Sequence, residues 1–177
     1  STNILNSSAG IYYDNSTAGI INSNNIIAGN KSVGIYNAGS TVNQNGLLKI
    51  GDQAIGVYLD GGTATFSAGC QVGMGYDSVN SNNNILMGDN SFGFILTDGG
   101  TFSNLSTTGK VIMGKDSTYV YTTNPNTNVF NASDIVMTGD ENTGFNILGG
   151  TLVNNGNIVG GTGVGATGIY IENGAVV

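Results

Sequence analysis

The chain has 177 residues, 30 of them Gly and one Pro, with no His or Trp and a formal net charge of −7. Its only cations are Lys31, Lys49, Lys110 and Lys115, so nothing clusters to neutralise a phosphate backbone or an anionic lipid surface, and nucleic acid and membrane are excluded as partners. The single cysteine, Cys70, allows no internal disulfide or thiolate zinc site and reads as a small buried hydrophobe, while no apolar run approaches the ~18 residues of a membrane span.

A three-residue phrase recurs from one end to the other. It is written Gly10-Ile11-Tyr12, Gly34-Ile35-Tyr36, Gly56-Val57-Tyr58, Gly93-Phe94-Ile95, Tyr119-Val120-Tyr121, Gly144-Phe145-Asn146 and Gly168-Ile169-Tyr170, with starts 24, 22, 37, 26, 25 and 24 residues apart. A fixed period of this size is the signature of a solenoid, in which each repeat buries its apolar face only by stacking on the next.

Within a repeat the first predicted strand precedes the phrase. An apolar, any, apolar, Gly, polar, polar, polar, apolar pattern covers Leu48 to Ile55, Ile85 to Phe92 and Val111 to Thr118, with looser copies at Ile26 to Val33, Ile135 to Thr143 and Ile158 to Thr167. Alternation closed by Gly with Asp or Asn predicts a short strand and a turn. The phrase itself forms the second strand, with Ile55, Val57 and Leu59, then Phe92, Phe94 and Leu96, then Thr143, Phe145 and Ile147, expected to point inward. Turns at Gly61-Gly62-Thr63, Gly99-Gly100-Thr101 and Gly149-Gly150-Thr151 lead to a third strand around Val42, Phe66, Phe102, Val129 and Leu152. Asn43, Asn104, Asn131 and Asn154 fall near its end, where stacked amides hold a bend.

Three short strands per turn make a parallel β-helix of about seven coils, a single unit over residues 1–177. The handedness of parallel crossovers makes it right-handed. The long interval between Gly56 and Gly93 predicts a loop insertion at 67–84, the segment that holds Tyr76 and Asp77. A loop fixed at its base by a regular scaffold is a place for partner contact.

If Val57 and Leu59 face inward, Tyr58 faces out, and Tyr12, Tyr36, Ile95, Tyr121, Asn146 and Tyr170 share its column. Phenol rings one coil apart are expected to offer flat apolar faces with hydroxyls at the rim, suited to sugar rings or a protein partner. Tyr36, Tyr58, Tyr121, Tyr76 and Asp77 are therefore the candidate binding residues. A second outward column, Ile27, Lys49, Leu86, Ile112, Val136 and Val159, is unusually apolar.

Enzymatic chemistry has weaker footing. Asp52 and Asp89 fall at one turn of neighbouring coils with Lys115 on the next, and Asp60 falls near Asp98; paired carboxylates serve glycoside hydrolysis or hold calcium. Asp beside Gly is also ordinary turn chemistry, and a chain without Arg or His lacks the cations a polysaccharide lyase needs. No catalytic residue, cofactor or metal is expected. An ice- or mineral-binding face would need a flat Thr array, of which Thr63 and Thr65 supply one pair that the other turns are not expected to continue.

The Gly-Ile-Tyr phrases, the block Ile85 to Phe94 and the run Asn154 to Ile158 resemble the passenger repeats of very large type V autotransporter adhesins, in particular the fusobacterial RadD-like family. The resemblance spans the whole chain. It implies a fragment of a longer passenger, displayed outside the cell on the bacterial outer membrane. Its implied task is virulence-related adhesion, as a β-helical stalk mediating or supporting attachment to a protein or glycan receptor on host cells or other bacteria. The alternative is a polysaccharide-active β-helix, a lyase or hydrolase.

Overall fold

The computed structural model describes residues 2–4, 6–14, 19–23, 25–66, 85–107, 109–161 and 163–177. Among them there is no helix, and the strands fall into three parallel sheets. The first sheet stacks Thr2–Ile4, Ile26–Ala28, Leu48–Ile50, Ile85–Met87, Lys110–Met113, Asp134–Met137 and Ile158–Gly160. The second stacks Ala9–Tyr13, Val33–Ala38, Ile55–Asp60, Phe92–Leu96, Thr118–Thr122, Thr143–Ile147 and Thr167–Ile171. The third stacks Ile20–Ser23, Thr41–Gln44, Thr63–Phe66, Thr101–Asn104, Asn128–Asn131 and Thr151–Asn154. The chain visits the three sheets in turn, which makes a parallel β-helix with three strands per coil. The expected insertion at 67–84, with Cys70, Tyr76 and Asp77, lies outside the described residues, yet Ile85 and Met87 pair in register with Leu48 and Ile50 across it.

Stacking at the ~4.8 Å spacing of neighbouring strands sets each residue beside its equivalents one coil away. The core is thus a bundle of columns. Ile26, Leu48, Ile85, Val111 and Ile135 form one, and Ile35, Val57, Phe94, Val120 and Phe145 another, all nearly inaccessible to water. Burying a side chain of this size contributes about 1.5–3 kcal/mol.

The second sheet departs from simple alternation. Ile55, Phe92 and Thr143, expected inside, are only half-buried, whereas the next two residues of each strand are both buried. The strand bends so that two successive positions face the interior, and Gly at the first lets the carbonyl of the next coil approach: an added Cβ on Gly34, Gly56, Gly93 or Gly144 would lie 2.4, 2.6, 2.5 or 2.5 Å from that oxygen. A Cβ on Gly56 would lie 2.6 Å from Ile50 Cδ1 and 2.9 Å from Leu48 Cδ2.

Tyr119 stands in that Gly column and turns its whole side chain inward. It is 0% exposed and packs edge-on against Phe94, Phe102 and Phe145, at ring-centroid distances of 5.9, 6.0 and 5.6 Å. Its hydroxyl donates to Asn131 Oδ1 at 3.2 Å and accepts from Asn104 Nδ2 at 2.9 Å. Asn131 Nδ2 in turn donates to Asn154 Oδ1 at 2.8 Å, and Asn154 Nδ2 to the Gly156 carbonyl. The amide ladder therefore exists over three coils.

Register corrects two memberships in the third sheet. Ala64, not Phe66, pairs with Val42 and Phe102, and Phe66 stands with Gln44 and Asn104. Asn43 accordingly lies in an outward column beside Thr65, and buried Gln44 takes the place expected for it. The small Ala64 and the large Phe66 exchange volume within one coil, which is how a packed core keeps its density.

Phe94→Asp, which places an unpaired charge in this core, is expected to lose cooperative folding, a cost of several kcal/mol; a wild-type thermal melt would overturn the inward assignment. Burial pushes the Tyr119 phenol well above its ordinary 10.0, and the Asn104 hydrogen bond acts in the opposite sense. Because the folded value is raised, the stabilisation is complete below pH 10 and is lost as pH climbs from there toward the folded value, where only the unfolded chain ionises. Tyr119→Phe removes this alkaline loss but leaves Asn104 Nδ2 and Asn131 Oδ1 without the hydroxyl they bond to, costing about 1–3 kcal/mol for each atom at neutral pH. Denaturant titrations on both sides of pH 10 check the two effects together.

Candidate functional site

The outward column of the second sheet runs Tyr12, Tyr36, Tyr58, Ile95, Tyr121, Asn146, Tyr170. Tyr12 and Tyr36 stack at 4.9 Å with planes 10° apart, and Tyr36 and Tyr58 at 5.3 Å and 15°. The rings therefore cover one another's faces. Solvent meets their edges and hydroxyls, not the flat apolar platform expected from the sequence. Ile95 ends the stack, and Tyr121 instead packs edge-on against Phe92 at 6.1 Å. Of the five candidate residues, the structure brings Tyr36 and Tyr58 together and leaves Tyr121 apart; Tyr76 and Asp77 lie outside the described residues.

Asp60 joins this row at its rim. It accepts a 3.4 Å hydrogen bond from the Tyr36 hydroxyl on Oδ2 and one of 3.3 Å from Thr97 Oγ1 on Oδ1. Withdrawal from water between its neighbours, and then the Asp60 charge, hold the Tyr36 phenol above its ordinary value. Tyr170, near the far end, donates to Glu172.

The aspartates weighed for catalysis occupy a turn that repeats between the first and second sheets. Asn6 Oδ1 accepts the Asn30 amide, Asn30 Oδ1 the Asp52 amide, Asp52 Oδ1 the Asp89 amide and Asp89 Oδ1 the Lys115 amide, at 2.9, 3.0, 3.0 and 2.7 Å. The return bond comes from the residue after each cap, held in the left-handed region: Lys31 N–H to the Asp52 carbonyl, Gln53 to Asp89, Asn90 to Lys115. Each carboxylate thus commits one oxygen to holding the next coil. Asp60 meets Thr97 across the stack, and Asp98 follows one position on. The Lys115 ammonium lies 3.8 Å from Oδ2 of Asp116, its neighbour in the chain. Among the described residues no three His, Cys, Asp or Glu come together to hold a metal ion.

Two further faces complete the surface. Along the first sheet Ile27, Lys49, Leu86, Ile112, Val136 and Val159 stack as expected, half-buried against one another except for the exposed Val159. On the third sheet Thr41, Thr63 and Thr101 stand in one outward column, continued by Asn128 and Thr151. Neighbouring turns thus continue the Thr63 column, as the Gly-Gly-Thr turns signalled, but none repeats the Thr63 and Thr65 pair, since Asn43 and Ser103 stand beside Thr65. Beside this column Asn43, Thr65 and Ser103 give way to Phe130 and Val153, which line a shallow depression with Thr101, Asn128 and Thr151. A flat hydroxyl array is therefore present in part and broken by apolar groups. No family model, curated protein or solved structure matches the chain.

Lys115 has no oxygen with which to cap the next coil, so the Asx ladder is interrupted there and resumes where Asp140 Oδ1 accepts the Val164 amide at 2.8 Å. Lys115→Asn is expected to supply the missing acceptor and raise stability by about 0.5–1.5 kcal/mol, read as a higher denaturation midpoint. Tyr58→Ser removes one stacking contact from a half-buried surface row and is expected to cost about 1 kcal/mol or less; a loss of several times that in the same assay would make the stack part of the core.

Proposed function

We propose that this chain is a segment of a bacterial surface adhesin, a β-helical stalk from the passenger of a large autotransporter that mediates or supports attachment to host cells or other bacteria. Its place is outside the cell, on the outer membrane, and its partner is a protein or glycan receptor. The observation that supports this reading best is where the polar side chains go. Asn6, Asn30, Asp52 and Asp89 reach along the axis to the backbone of the next coil, while buried Asn104 and Asn131 are joined through the Tyr119 hydroxyl and Asn131 donates on to the half-buried Asn154. Cohesion along the axis is what a rod that holds a contact at a distance requires.

The Gly-Ile-Tyr repeats, through their resemblance to adhesin passengers, support the surroundings given to the chain in this reading. The Tyr36 and Tyr58 hydroxyl edges with Asp60, together with Tyr121 farther along the column, make up the binding face in this reading. Hydroxyls and a carboxylate at a rim favour hydrogen bonding to a polar receptor over burial of an apolar one.

Labelled, folded chain is expected to bind intact mammalian or partner bacterial cells saturably, with competition from a sugar panel if the receptor is a glycan. Tyr36→Ser combined with Tyr58→Ser should lower that binding at least tenfold, about 1.4 kcal/mol. Cleavage of a polysaccharide by the purified chain, abolished in Asp89→Asn, would replace the adhesive reading with an enzymatic one.

A further inference from the structure

Three phenols held in register, one coil apart, invite a reaction that isolated surface tyrosines undergo only on collision. We propose that Tyr12, Tyr36 and Tyr58 form an oxidative cross-linking site, in which Tyr36 couples to one of its two neighbours through a ring carbon–carbon bond and so staples adjacent coils covalently.

The geometry carries the argument. The Tyr12 and Tyr36 rings lie 4.9 Å apart, and those of Tyr36 and Tyr58 lie 5.3 Å apart, nearly parallel in each case. The strands beneath are locked in register by Tyr12–Tyr36 and Tyr36–Tyr58 pairing. A radical formed on one ring therefore has a second phenol permanently beside it, and encounter, the slow step in solution, is replaced by effective concentration. Oxidants reach the row from its exposed side, since Tyr12 is 67% accessible. Asp60, hydrogen-bonded to the Tyr36 hydroxyl at 3.4 Å, stands ready to take the phenolic proton as the electron leaves.

The oxidant is a peroxide acting through a haem peroxidase. Two phenols each give up one electron and one proton, and hydrogen peroxide accepts both pairs and leaves as two waters. The two phenoxyl radicals join at the ring carbons ortho to oxygen. The hydrogens on those carbons then pass to the oxygens through solvent, restoring both phenols. No other atoms are gained or lost.

Other tyrosines provide internal controls. Tyr121 is flanked in its column by Ile95 and Asn146, and Tyr170 by Asn146 on its paired side, so neither has a phenol in the next rung. Tyr119 is sealed in the core at 0% exposure. The proposal does not depend on the adhesive reading, because it concerns the chain's own chemistry.

The test oxidises dilute, folded chain with hydrogen peroxide and a haem peroxidase, then digests it with trypsin. Cleavage after Lys31, Lys49 and Lys110 puts Tyr12 in peptide 1–31, Tyr36 in 32–49 and Tyr58 in 50–110. The expected product is 32–49 joined to 1–31 or to 50–110, lighter by two hydrogens than the pair, with fragmentation placing the bond on Tyr36 and on Tyr12 or Tyr58. Tyr36→Phe, which keeps the stacked ring, should abolish both products, while Tyr121→Phe should leave them unchanged. Joined peptides that persist in Tyr36→Phe, coupling only between molecules, or hydroxylated monomeric tyrosine without any joined peptide would each overturn the proposal.

Discussion

In-register stacking of parallel coils is the constraint on which everything else in this protein rests. Once each strand must bond to its equivalent above and below, a side chain spends its whole surface on two like neighbours and on whatever faces it across a narrow core. Apolar positions then reinforce one another in columns, and a polar position is tolerable only if its neighbours can satisfy it. The amide ladder through Asn104, Asn131 and Asn154 and the Asx ladder from Asn6 to Asp89 are two answers to that demand, one inside the core and one at a surface turn.

The same constraint explains the exceptions. Tyr119 enters a column otherwise given to Gly, and the vacancy at Gly93, where an added Cβ would lie 3.1 Å from Tyr119 Cδ2, leaves room for its ring. Having brought a hydroxyl into the core, that coil recruits two amides from the third sheet to bind it. At the tight turn between the second and third sheets, Gly62 sits at a φ of +77°, where an added Cβ would come within 2.3 Å of the Ser40 carbonyl oxygen. There the close approach of neighbouring coils, and not the turn alone, dictates the residue.

Surface chemistry follows from the stacking too. Repetition aligns Tyr12, Tyr36 and Tyr58 whether or not a ligand exists, and the close spacing makes the rings prefer one another's faces to solvent. What is left outward is an edge of hydroxyls with Asp60 beside it. This changes the kind of recognition the row supports, from stacking on a sugar face to hydrogen bonding along a polar rim, and it places reactive phenols in contact.

The amino-acid sequence alone determined the solenoid, the number of strands per coil, the outward tyrosine column, the neighbouring positions of Asp52 and Asp89, and most of the core. Each of these depends only on period and alternation, which a linear chain displays directly. Tertiary structure alone decided matters that turn on a single residue of register or on direction. Alternation could not foresee that the second strand bends at Gly56 or Gly93 and turns Ile55 and Phe92 outward, because the bend arises from closing the coil. Nor could it tell that Ala64 and not Phe66 pairs with Val42, since both lie on one face two residues apart. The engagement of Asp52 and Asp89 with backbone amides, and of the tyrosine faces with one another, likewise belongs to the folded coil. Their partners lie 22 to 37 residues away in the chain and become neighbours only when the coils stack.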